Sequence, residues 1–437
     1  MTECSSGKLV FNRAFGREVV ADFRGGAITS DAGGLLLREA DRRLGLTEAL
    51  AGCIEDTRQA GKRRHSTLAM LRQRIYAIAL GYEDLNDHDQ LRHDELMKLL
   101  AESEEPLASS PTLCRLENRM DRQGLAAMSR ALVDKFIESF AAPPEELVLD
   151  FDATDDQVHG MQQGRFFHGY YDCYCFLPLY VFCRDKLLVA YLRPSKIDAA
   201  RHAWAILSLL VRRFREVWPG VRIVFRGDSG FARWRMMRWC RRNDVHYIMG
   251  LAKNSRLAEA SQALREQAER RFHESGVKQR LFGEFRYAAG TWDTERRVIV
   301  KAEHTAGGAN PRYVVTNLEG DPRALYDTVY VARGEMENRI KEQQLHMFAD
   351  RTSAHRFPAN QFRLLLASAA YTLVEYIRSH ALRGTELAKA QCQTIRLKLF
   401  KIGARIVKSV RRIILHLTTG YPYQEILAVA VRRLVHT

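Results

Sequence analysis

Four aspartates, Asp150, Asp152, Asp155 and Asp156, crowd the stretch VLDFDATDDQVHG at residues 148–160. The apolar run LVLDFDA reads as a buried strand. Alternate side chains of a strand share a face, so Asp150 and Asp152 point one way while Leu149 and Phe151 point the other. A further carboxylate, Asp228, closes the equally apolar VRIVFRGDSG, just ahead of Ser229 and Gly230. In α/β sheets the active site lies beyond the carboxyl ends of the strands, where both acids fall. If the two strands are neighbours, Asp152 and Asp228 can share a divalent cation, since Mg²⁺ takes one or two carboxylates and leaves its other positions to water or substrate phosphates. A third carboxylate would make room for two ions about 3.5–4 Å apart, an arrangement that stabilises both the attacking and the leaving oxygen of an in-line phosphoryl displacement. Taken singly, an Asp at a strand end is commonly a turn former or an N-cap, and Asp155 and Asp156 are read that way.

The elements that must position these acids follow from periodicity. LVLDFDA, YYDCYCFLPLYVFC and KLLVAYLRP read as three strands, DAARHAWAILSLLVRRFREVW as an amphipathic helix and VRIVFRGDSG as a fourth strand. ARWRMMRWCRRN then reads as a helix and HYIMGLA as a fifth strand. That order makes a layered α/β domain. EFRYAAGTWDTERRVIVKAEH resembles two strands joined by a turn that carries Trp292, RYVVTNL is another strand, and TVYVARGEMENRIKEQQLHMF and NQFRLLLASAAYTLVEYIRSHAL are helices. The first 140 or so residues read as mostly helical after an irregular arm, with a boundary at Pro143 and Pro144. In the basic tail, IRLKLFK and RRIILHL read as a hairpin across Gly403, apolar on one side and basic on the other.

With 437 residues, 46% of them hydrophobic, the chain can bury more than one core, and its net charge of +15 favours a polyanionic partner, nucleic acid first. The N-terminal MTECSSGKLVFNRAFGREVV has no apolar signal core and no stretch reaches about 18 apolar residues, so a cytoplasmic protein without a membrane span is expected. Cys173, Cys175 and Cys183 lie among aromatic and β-branched residues and read as reduced core thiols, not zinc ligands.

DFDAT, RGDSGFAR and YVARGEMENRIKE, in that order, resemble the DDE transposases of bacterial insertion sequences. The closer resemblance is to the thirteen-eighty group, related to the IS-four group, for which GYEDLNDHDQLRHD, GYYDCYCFLPLYVF and FKIGARIVKSVRRI are also similar. The resemblance spans nearly the whole chain. It implies an RNase H-like mixed-sheet core interrupted by a β-rich insertion. The helical N-terminal DNA-binding domain would span residues 1–143, the core 144–254 and 312–385, the insertion 255–311, and the basic DNA-binding or dimerisation region 386–437.

The family's third acid lies on a helix, in the pattern Tyr, two residues, Arg, three residues, Glu, six residues, Lys. Tyr330, Arg333 and Glu337 match it, and Gln344 stands where the Lys would. Lys341 lies one turn beyond Glu337, on the same helix face. The Asp-Gly-Thr-like motif of the family falls on Asp152, Ala153 and Thr154, which places Asp152 ahead of Asp150. The resemblance thus implies Asp152, Asp228 and Glu337 as catalytic residues and ligands for two Mg²⁺ or Mn²⁺ ions, with Glu335 and Glu342 as solvated helix charges. Tyr330, Arg333, Arg339, Lys341 and Lys253 would contact DNA, and Trp292 would stack on a flipped base, worth about 1–3 kcal/mol. Implied partners are the element's terminal inverted repeats, target DNA and a second copy of the chain in a synaptic complex, with the protein at the bacterial nucleoid when bound to DNA. A nuclease without strand transfer and a catalytically silent DNA-binding derivative are the alternatives, and the three intact acids argue against the second.

Overall fold

The computed structural model describes residues 8–436, which form two compact units. One holds the described residues of Met1–Arg119 with those of Ala369–Thr437, and the other is Met120–Ser368.

Met120–Ser368 is built on a nine-stranded mixed sheet. Its strands are β1 (Glu146–Ala153), β2 (Leu179–Cys183), β3 (Lys186–Tyr191), β4 (Arg222–Gly227), β5 (His246–Leu251), β6 (Gln279–Tyr287), β7 (Arg296–Thr305), β8 (Gly308–Ala309) and β9 (Arg312–Thr316). They lie in the order β6-β7-β9-β5-β4-β1-β2-β3, with β8 on β7. Only β4 is parallel to the strands on both its sides, β1 and β5; every other pairing in the sheet is antiparallel. Parallel neighbours need crossovers. The helix α2 (Ala203–Val217) precedes β4 and α3 (Trp234–Arg242) joins β4 to β5, while α1 (Arg122–Glu138) precedes β1. Val133 and Phe136 of α1, Leu207, Leu210 and Phe214 of α2, and Met236, Met237 and Cys240 of α3 form one core with Leu149, Phe151, Ile223 and Phe225 of the central strands. The layered α/β expectation therefore holds, as a mixed sheet. The boundary read at Pro143 and Pro144 falls inside this unit, between α1 and β1.

Two local readings change. YYDCYCFLPLYVFC is not one strand: Cys173–Phe176 joins a small sheet with Asp156–Gln157 and Phe166–His168, and only Leu179–Cys183 enters the main sheet. Pro178 makes the break because it has no N–H for a ladder, and its carbonyl accepts from the Thr154 N–H instead. Residues 255–275, unassigned by periodicity, form α4 (Ser255–Ala260) and α5 (Gln262–Ser275), with α5 packed over β6 and β7. The β6–β7 hairpin extends the main sheet through β9. Beyond β9 the chain winds through a turn of π-helix (Leu325–Tyr330), a 3-10 turn (Val331–Arg333), α6 (Gly334–Lys341) and a second π turn (Glu342–His346).

The other unit packs helices such as Leu35–Leu44, Thr67–Leu80 and Ser110–Asn118, and the arm read as irregular contains a hairpin of Leu9–Ala14 with Arg17–Ala21. In its tail, IRLKLFK is helical, not a strand: Cys392–Ile395 continues into a π turn at Arg396–Phe400. Leu399 and Phe400 are fully buried, and Arg396 Nε donates to the Ala79 carbonyl at 2.8 Å, capping the end of helix Thr67–Leu80. Tertiary packing thus overrides β-propensity there. The hairpin forms one step later, between Ala404–Lys408 and Ile413–Leu417, with Ile28–Thr29 as a third strand.

Candidate active site

The parallel pairing of β1 with β4 sets Asp150 opposite Arg226 and Phe151 opposite Gly227. One residue further, the same register brings Asp152 and Asp228 side by side at the carboxyl ends of adjacent strands, which are separated by about 4.8 Å. Asp228 is also an N-cap: its Oδ1 accepts from the Gly230 N–H at 2.9 Å and so opens the 3-10 turn Ser229–Phe231.

Glu337 reaches this place through Arg333. The Arg333 guanidinium donates to Asp152 Oδ2 and to Glu337 Oε1, each at 3.1 Å. Asp152 and Arg333 are largely enclosed, with side chains 16% and 17% exposed, whereas Glu337 is 53% exposed. Burial, aided by repulsion from Asp228 and Glu337, raises the Asp152 pKa to about 6 against the pull of Arg333. Burial also opposes the Arg333 charge, but Asp152, Tyr330, Asp228 and Glu337 outweigh it and raise its pKa.

Asp150 does different work. It is buried and bound through both oxygens by Arg226, with Nη2 2.7 Å from Oδ2 and Nε on Oδ1, while Arg226 Nη1 donates to the Val329 carbonyl. One guanidinium thus clamps β1, β4 and the helical path that leads to Glu337. Burial pushes the Asp150 pKa up, and Arg226 pulls against it.

Tyr330 sits beside the Asp228 turn, and burial raises its pKa. A Cβ at Gly250 would meet the Tyr330 hydroxyl at 2.7 Å and the Ser229 nitrogen at 3.0 Å, so only glycine allows β5 to approach both. Gln344, in the slot of the family's Lys, donates to the Asp155 carbonyl at 2.8 Å and ties the loop after β1 to the helical path. Arg339 is engaged with Asp185 at 2.8 Å and Glu342 at 3.1 Å. Glu342 is therefore not the solvated charge expected from sequence; it is buried against Arg339. Glu335 is exposed, as expected, and so are Lys341 and Lys253.

Trp292 stands apart. The antiparallel pairings of β5, β9, β7 and β6 carry the turn at residues 288–295 to the end of the sheet opposite Asp152 and Asp228. There it packs on the core, edge-on to Tyr287 at 5.5 Å and with the Arg296 guanidinium 5.6 Å from its ring centre.

The sequence reading missed the Asp150–Arg226 clamp and the need for Gly250. A glycine inside the apolar strand HYIMGLA was the available signal for the second. The first had none stronger than an Arg at the end of a buried strand.

The chain matches the family described as Transposase DDE domain group 1 over residues 11–437, and it belongs to that family of transposases. A cryo-EM structure of the piggyBac transposase synaptic complex with hairpin DNA is similar at 10% identity and a TM-score of 0.44, over 85% of this chain and 80% of that chain. No curated protein matches the chain. Among the described residues, no helix is long and apolar enough to cross a membrane.

Proposed function

We propose that the chain is the transposase of a bacterial insertion sequence of the thirteen-eighty group, with Asp152, Asp228 and Glu337 as its catalytic carboxylates on an RNase H-like core. The observation that carries this reading is the Arg333 bridge, which joins the strand-end Asp152 to the helix-borne Glu337 beside Asp228. The strand order β3-β2-β1-β4-β5 supports the core assignment.

The donor set suits Mg²⁺ or Mn²⁺: it offers only hard carboxylate oxygens, and burial, with added repulsion from Asp228 and Glu337, raises the Asp152 pKa to about 6, a repulsion that a divalent cation would relieve. Asp152, Asp228 and Glu337 would hold two such ions, which when bound activate the attacking oxygen and stabilise the leaving one in in-line phosphoryl transfer. Arg333 keeps Asp152 and Glu337 together and presents a cation to a scissile phosphate. Lys341 and Lys253, exposed and beyond the carboxyl end of the sheet or on the Glu337 helix, contact flanking phosphates. Arg339, paired with Asp185 and Glu342, holds the helix in place. Trp292, packed on the far end of the sheet, is a structural residue of the β6–β7 turn.

The substrate is the element's own DNA. Cleavage at the terminal inverted repeats frees a 3′-hydroxyl, and attack of that hydroxyl on target DNA joins the two, with the chain acting as a homodimer in a synaptic complex. The helical residues 1–143, with the basic stretch RQAGKRRHSTLAMLRQR, supply end recognition, and residues 386–437 add DNA or partner contacts. The experiment is a strand-transfer assay with pre-cut ends and a target plasmid in Mg²⁺. Joined products are expected; cleavage of intact ends without joining would make the protein a nuclease instead.

A further inference from the structure

We infer that Glu269, His273 and His304 form a second metal site, selective for a borderline divalent cation of the zinc class and separate from the catalytic carboxylates. Glu269 and His273 lie four residues apart on α5 and therefore on one helix face. His304 comes from β7, over which α5 packs. The three residues each offer a ligand atom, all within 4.8 Å of one another, the one such group of three His, Cys, Asp or Glu residues among the described residues.

His304 is the anchor. Its imidazole is buried and stacked on Phe272, with ring centres 5.1 Å apart and planes inclined by 29°. The His273 ring lies beside it, with ring centres 5.8 Å apart. A metal ion held there would draw on one ring nitrogen of each histidine and a carboxylate oxygen of Glu269. Glu303, the adjacent acid, is not available for the ion because Lys278 at 2.8 Å and Lys301 at 3.1 Å hold it.

Zinc bonds of about 2.0–2.1 Å in a tetrahedron place ligand atoms roughly 3.3 Å apart. The present gap between His273 Nε2 and Glu269 Oε1 is 4.0 Å, and both side chains are more than half exposed and free to turn inward. Two imidazoles and one carboxylate match zinc, nickel or copper, whereas Mg²⁺ prefers oxygen alone. Three protein ligands leave a fourth position for water or an anion. The ion would fasten α5 to β7. Because β7 runs past its last pairing with β9 at Lys301, the site lies on the same end of the sheet as Asp152 and Asp228.

The test is zinc binding to the full chain, stripped with chelator and then held in millimolar Mg²⁺ so that the catalytic carboxylates are occupied. Titration calorimetry is expected to find one zinc per chain, and zinc to raise the melting temperature. His273→Ala changes an exposed residue; it should leave the melting temperature of the metal-free protein unchanged, weaken zinc binding at least tenfold and remove the zinc-dependent rise. His273→Cys, which restores a ligand, should recover both. Absence of zinc uptake by the parent chain in Mg²⁺, or uptake unchanged in His273→Ala, would overturn the inference.

Discussion

Replacing Arg226 with Met tests whether Asp150 belongs to the scaffold and not to the metal site. Asp150 and Arg226 are only 2% and 7% exposed, and Arg226 binds both Asp150 oxygens as well as the Val329 carbonyl. Removing one partner of such a pair strands a buried carboxylate at a cost of about 3–5 kcal/mol. The orphaned carbonyl adds on the order of 1 kcal/mol. A net loss of about 4–6 kcal/mol is therefore expected, a large share of the roughly 5–15 kcal/mol that stabilises a domain. The double variant Asp150→Leu/Arg226→Met should recover most of it, because an apolar pair of similar volume needs no compensating charge. Urea unfolding followed by tryptophan fluorescence is the assay, since Trp204, Trp218, Trp234, Trp239 and Trp292 all lie in Met120–Ser368 and report on that unit alone. The double variant should still cleave element ends, more slowly, because it keeps Asp152, Asp228 and Glu337 but loses the Val329 anchor. A single variant within about 1 kcal/mol of the parent, or a double variant as unstable as the single, would refute the clamp; complete loss of cleavage in a folded double variant would return Asp150 to the list of ligands.

Other outcomes follow from the same geometry. The raised pKa of Asp152, about 6, means that the folded chain binds this proton more tightly than the unfolded chain, so the stability it contributes is complete below about pH 4 and is lost as pH rises through about 6. Asp152→Asn should therefore be more stable than the parent at pH 7.5 in chelator, by at most about 3 kcal/mol at 1.36 kcal/mol per pKa unit and less whatever the ion pair to Arg333 supplied, and should match it near pH 4 in thermal melts. Gly250→Ala should cost about 1–3 kcal/mol and slow cleavage by crowding the Tyr330 hydroxyl and the Ser229 nitrogen, and Tyr330→Phe in the same chain should relieve part of the stability loss. Arg333→Lys cannot span both carboxylates as the guanidinium does; loss of one charge-assisted hydrogen bond, about 1.5–3 kcal/mol, predicts cleavage slower by roughly 10- to 100-fold in single-turnover assays.

The central strands were legible because a strand buried on both faces is a continuous apolar run, and β1, β4 and β5 each have one. The carboxyl-end placement of Asp152 and Asp228 followed from those runs. Glu337 did not: it lies far along the chain on a helical path of mixed pitch, and only the Tyr330, Arg333 and Glu337 spacing of the family pointed to it. Where tertiary packing overrode local preference, the residues read wrongly. IRLKLFK is rich in strand formers yet coils because Leu399, Phe400 and Arg396 are buried beneath the end of helix Thr67–Leu80. Glu342 reads as a solvated charge on a polar helix and is instead enclosed by Arg339, a pairing that spacing of three residues permits but does not announce. Trp292 was placed correctly in a turn, but the register that sends this turn to the far end of the sheet depends on β9 inserting between β5 and β7, a pairing order that no local pattern encodes.

The most direct test of the account is single-turnover cleavage of labelled element ends in Mg²⁺ by Asp152→Ala, Asp228→Ala and Glu337→Ala, with the exposed Glu335→Ala as the comparison. The account predicts background cleavage for the first three, each still folded and still bound to the ends, and parental cleavage for Glu335→Ala. Parental cleavage by any one of the first three would contradict it.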